Sequence, residues 1–105
     1  MATTVIGTDE ISTGPITMAA NTEEIAEFSD EALARRVHTV DILVISATQV
    51  VYVSSNETAA TVGGKHCYPI PPGTNAATVS LTASGSTQVR AITSGTATLH
   101  ITKAT

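Results

Sequence analysis

At 105 residues, with 42% hydrophobic and only 13% charged side chains, the chain has material for one domain with a single core and a weakly charged surface. Its five Lys and Arg are scattered and its net charge is −4, which excludes a run of phosphates, and so nucleic acid, as the expected partner. Its single cysteine excludes an intrachain disulfide, and no apolar stretch is long enough to cross a bilayer as a helix.

The opening MATTVIGTDE has neither the basic patch nor the apolar run of a signal peptide, so a soluble compartment is expected. Residues 1–14 are rich in Thr, broken by Gly7 and Gly14 and followed by Pro15, with apolar side chains only in isolation. They read as an extended N-terminal arm ahead of a β domain over 15–105, with no compact element of their own. Such a segment is ordered only by lying along a partner or along its own sheet. Val5, Ile6, Ile11 and Ile16 are therefore the interface candidates.

Past the arm, apolar and polar residues alternate with period two, as in half-buried antiparallel strands. Val40, Ile42 and Val44 alternate with Thr39, Asp41 and Leu43, and Val51 and Val53 follow. Ala77, Val79 and Leu81 alternate with Thr78, Ser80 and Thr82; Ala97, Leu99 and Ile101 alternate with Thr96, Thr98, His100 and Thr102. Strands are expected near 15–21, 23–29, 36–46, 49–55, 65–70, 76–83, 86–93 and 96–103. Turn signals at 54–57, Gly63-Gly64, 71–75, Ser84-Gly85 and Ser94-Gly95 separate them, the last two reading as hairpin links. The expected fold is all-β: an antiparallel β-sandwich of about eight strands, jelly-roll or immunoglobulin-like, with Val40, Ile42, Val44, Val51, Val53, Val79, Leu81, Leu99 and Ile101 inside.

Residues 21–38 are ambiguous. Asn21 with Glu24 resembles a capping box, and Ile25, Phe28 and Ala32 fall at helical spacing. As a strand, the same stretch puts Ile25 and Phe28 on opposite faces. The family resemblance given below favours the strand, with at most a turn of helix near Asp30 to Ala34.

Little in the chain carries chemistry. Glu23, Glu24, Glu27, Asp30 and Glu31 form the one acidic concentration and read as a solvated surface. His66-Cys67 is a potential metal pair, but neither His38 nor His100 stands at the spacing of a zinc module. The pair reads as strand residues, one side chain in and one out. Ser84-Gly85-Ser86 and Ser94-Gly95-Thr96 lack the flanking glycines of a nucleophile elbow, and Gly63-Gly64-Lys65 lacks the rest of a phosphate loop. The expectation is a protein that is not an enzyme, with no cofactor and no metal. A surface of Thr, Ser and Ala with few charges costs little to desolvate, which suits lasting contact with other subunits.

The order of several short segments carries a resemblance. Asn21-Thr22 leads to Phe28, an Arg35-Arg36-Val37 strand follows, then Val50-Val51-Tyr52-Val53-Ser54. Ala60-Thr61-Val62-Gly63-Gly64 precedes Cys67-Tyr68-Pro69-Ile70-Pro71-Pro72, and the chain closes on Val89-Arg90-Ala91-Ile92-Thr93-Ser94-Gly95-Thr96. Over about residues 15–103 this resembles small tailed-bacteriophage virion proteins of the capsid decoration, or cement, type. It departs from them at Ala59-Ala60, where a Pro is common, and at Cys67 and Pro72. The resemblance implies a β-sandwich on the capsid exterior of the virion, made in the host cytoplasm. It further implies the major capsid protein as partner, a homotrimer, arms tying neighbours together, and no membrane. The alternative is a small binding module of a phage tail, baseplate or head fibre that recognises a host-surface glycan. The shortage of aromatics, Phe28, Tyr52 and Tyr68 alone, speaks against it.

Overall fold

The computed structural model describes residues 2–7, 10–28, 39–45, 48–54, 59–72, 76–80 and 88–103. Over these residues the chain is all-β, with nine strands. They are β1 (Ala2–Ile6), β2 (Ile16–Met18), β3 (Glu24–Phe28), β4 (Thr39–Ile45), β5 (Val51–Ser54), β6 (Tyr68–Ile70), β7 (Ala76–Ser80), β8 (Gln88–Thr93) and β9 (Ala97–Lys103). One sheet has five strands in the order β1-β3-β8-β5-β6; the other has four, in the order β2-β9-β4-β7.

Pairing is antiparallel throughout except for β1, which runs parallel to β3. Ile42 lies opposite Ile101, and Leu99 lies opposite both Val44 and Ile16, so these inward apolar residues of the four-stranded sheet meet one another across the ladder. In the second sheet Ala26 faces Val89, and Val53 faces Ala91. These inward rows from both sheets merge into one hydrophobic cluster, from Ile6 and Phe28 to Leu99 and Ile101.

The alternation therefore reports the core directly. Val40, Ile42, Val44, Val51, Val53, Leu99 and Ile101 are all buried, as expected of them. Val79 stands in register with Val40, and Leu81 lies outside the described residues. Thr93, fully buried at the cluster's margin, donates its hydroxyl to the Val50 carbonyl at 2.9 Å, so its burial leaves no donor unsatisfied.

Several expectations change. Residues 2–6 are not an arm lying apart from the domain: they form β1, and Ile6 is fully buried in the core. The helical option for 21–28 fails, because Asn21 takes a left-handed conformation (φ 54°) in a turn and Glu24 opens β3. Residues 29–38, with His38 and the turn of helix near Asp30, lie outside the described residues. Ser94-Gly95 is not a hairpin link, since β8 and β9 belong to different sheets. The link is a corner that carries the chain across the core. β7 and β8 are likewise in different sheets, and Ser84-Gly85 between them lies outside the described residues.

Candidate protein-interaction surfaces

The four interface candidates divide in two. Ile6 and Ile16 are 0% and 7% exposed and belong to this chain's own core, which removes them as contacts to a neighbour. Val5 and Ile11 are 53% and 70% exposed. Their placement follows from how the first residues are tied down. β1 sets Val5 opposite Glu27 on the outward face of its sheet, while Ile6 beside it turns inward. Past β1, the Gly7 N–H donates to the Glu10 carboxylate at 2.6 Å, and the Glu10 N–H donates to the Gly7 carbonyl at 3.1 Å. The chain then reaches the other sheet, where Ser12 bridges Thr102 and Thr13 exchanges bonds with Ile101. The result is a strap pinned to both sheets, with Ile11 outward between the pins.

A second arrangement lies on the outward face of the five-stranded sheet. The Asn21 N–H donates to the Thr93 carbonyl at 2.7 Å, which fixes the turn ahead of β3 and places Glu23 beside Arg90 of β8. Arg90 Nη1 meets Glu23 Oε1 at 3.1 Å, with side chains 19% and 10% exposed. The other carboxylate oxygen, Oε2, accepts the Ala60 N–H at 2.6 Å. Arg90 Nη2 donates to Gln88 Oε1 at 2.9 Å, while Arg90 Nε is buried with no partner among the described residues. Glu23 thus clasps the segment that follows β5 onto the sheet. Ala60 is buried there, as are Ile25 and Ser54, which β3 and β5 point the same way as Arg90.

From Ala60 the chain makes successive turns. The Gly64 N–H donates to the Thr61 carbonyl at 3.0 Å, and the Cys67 N–H donates to the Gly64 carbonyl at 3.2 Å. Gly63 is left-handed (φ 73°), and a side chain at Gly64 would run into the Thr61 hydroxyl and carbonyl. His66 Nε2 donates to the Ala59 carbonyl at 2.7 Å, so this imidazole serves the loop. His66 is exposed and Cys67 half-buried, both in turns before β6 and not in a strand as expected. His100 lies opposite Leu43 on the outward face of the other sheet. Among the described residues no three His, Cys, Asp or Glu side chains gather at a point.

The acidic concentration is corrected in part. Glu23 is not a solvated surface carboxylate but a largely covered member of an ion pair, its side chain 10% exposed. Asp30 and Glu31 lie outside the described residues. Nothing in the local sequence announces the clasp, because Glu23 is 67 positions from Arg90 and 37 from Ala60. Glu23→Ala should lower stability by about 1–3 kcal/mol, since it strands the guanidinium and the Ala60 N–H together. Glu23→Gln keeps an acceptor for that N–H and should lose less. Urea unfolding of both variants checks the order.

The outward face of the four-stranded sheet mixes polar residues with Leu43 and Ile45. Thr17, Thr96 and Thr98 border an open depression with Ala97 and the half-exposed Ile45. No described helix is long and apolar enough to cross a membrane. Comparison with family models, curated proteins and solved structures finds no match.

Proposed function

We propose that this protein is a structural subunit of a phage virion, a decoration or cement protein that sits on the outside of the head and bridges neighbouring capsomers. The observation that carries the reading is the N-terminal strap. It holds two large apolar side chains, Val5 and Ile11, out into solvent on a frame pinned to both sheets. A pinned strap contributes contacts without paying the ordering cost of a loose arm on binding.

Three further points support it. The segments from Asn21 to Thr96 resemble those of cement-type virion proteins. The orders β2-β9-β4-β7 and β3-β8-β5-β6 follow the interleaved pattern of a jelly-roll sandwich, with β1 added beside β3. That architecture is common among capsid and lectin domains. Finally, charged residues are only 13% of the chain, so a large contact area can be desolvated cheaply. The partner is the major capsid protein. The assembled form is a trimer on local symmetry axes, where many weak contacts add through multivalency.

The test uses heads assembled without this chain. Adding purified protein should decorate them to a fixed copy number and raise the temperature at which they release their contents. Labelling found only at the tail tip, with no effect on head stability, would overturn the reading. It would favour the second one, a glycan-binding module, for which Tyr68, 52% exposed, is the feature in favour.

A further inference from the structure

We propose that the outer edge of β1 in one copy of this chain pairs with the outer edge of β7 in the next, so that copies close head to tail into a ring. In taking that ring for the trimer of a decoration protein, the inference rests on the reading above; the match between the two edges stands on its own.

The first ground is which edges are guarded. A sheet edge offers unpaired N–H and C=O groups to any extended chain, and proline, charge or brevity blunts it. The outermost strands are β1 and β6 in one sheet, β2 and β7 in the other. β6 is three residues long, contains Pro69 and runs into Pro71-Pro72. β2 is also three residues long and follows Pro15 directly. β1 (Ala2–Ile6) and β7 (Ala76–Ser80) have no such guard: each is five residues long, without a proline or a charged side chain. Among the described residues no strand pairs with the outer side of either.

The second ground is where these edges stand. Only residues 71–75 join β6 to β7, and only 19–23 join β2 to β3 beside β1. β6 and β7 therefore border one side of the paired sheets, and β1 and β2 the other. Each side presents one open edge and one guarded edge, and the open edge belongs to a different sheet on each. Two different surfaces on opposite sides are what a head-to-tail contact requires, whereas a two-fold dimer uses one surface twice. Equal length lets β1 and β7 pair along their whole span, and with no charge on either strand no like charges meet. A foreign strand covers one edge and leaves the other, while further copies of the chain cover both in fixed proportion. One five-residue pairing is a small contact, but closing the ring adds a last one that is intramolecular.

The experiment links full-length copies through cysteines, in a Cys67→Ser background and without heads. Thr3→Cys marks β1; Thr78→Cys and Ser80→Cys, in register with Asp41 and Thr39, mark β7 at two positions. Mild oxidation of the β1 variant mixed with each β7 variant should give, for at least one of them, a disulfide between unlike chains that is lost in urea. Each variant alone should stay unlinked. A chain carrying Thr3→Cys together with the β7 substitution that links should give a covalent ladder that stops at the trimer. Like pairs of Thr3→Cys would mean that β1 meets β1 about a two-fold axis, and would overturn the proposal. So would a ladder running past the trimer, or no link between unlike chains at either β7 position. Binding of wild type to heads is scored separately. Uptake by heads without the unlike link sinks the edge contact and leaves the decoration reading; the link without uptake does the reverse.

Discussion

Leu99→Ala should lower stability by about 2–5 kcal/mol and the melting temperature by roughly 10–30 °C, among the largest effects open to one substitution here. β9 is an inner strand of the four-stranded sheet, held between β2 and β4. Leu99 sits opposite Ile16 on one side and Val44 on the other and is fully buried. Backbone pairing on both sides limits how far the strands can close over the space a leucine leaves, so the cavity cost adds to the lost transfer energy. Val5→Ala, on the outward face, should by contrast stay within about 0.5 kcal/mol. Urea and thermal unfolding of both variants make the comparison. A Leu99→Ala loss under about 1 kcal/mol would contradict the placement of the core between these sheets.

The core was legible because its chemistry is local. Along 39–45 and 97–102 the inward residues are all apolar and most outward ones polar, Leu43 and Ile45 excepted, and period two stays visible when one face is wet. β3 hid its nature for the opposite reason. Ile25, Ala26 and Phe28 are all buried, because the clasped segment with Ala60 lies on the outward face where Ile25 points. A strand covered on both sides loses its alternation, and the Ile25–Phe28 spacing then imitates a helix. The corner at Ser94-Gly95 was misread because a short Ser-Gly link serves a hairpin and a sheet-to-sheet crossing equally well. Only distant pairing decides between them. Of the interaction surfaces, Val5 and Ile11 were visible as apolar residues in a polar segment, but nothing local told them apart from Ile6. The alternation that separates Val5 from Ile6 begins only when β3 fixes the register.

β1 supplies the other large expected effect. Read as a free arm, residues 1–12 should be removable without changing the domain's unfolding. The pairing of Ala2–Ile6 with Glu24–Phe28 and the full burial of Ile6 require the reverse. Deleting residues 1–7 should destabilise the domain by at least the roughly 2–5 kcal/mol of a core isoleucine truncation. It should also lay bare the edge of β3, which promotes association through unpaired backbone groups. Particle assays with this truncation would confuse unfolding with lost contact. The clean variants are Ile6→Ala, which should fall in stability and bind heads when folded, and Val5→Ser with Ile11→Ser, which should unfold like wild type. That double variant should lower occupancy on heads at equal concentration if the strap is a bridge. Unchanged occupancy would remove Val5 and Ile11 from the contact. A truncation with the wild-type urea midpoint would show that β1 contributes nothing to the sheet it joins.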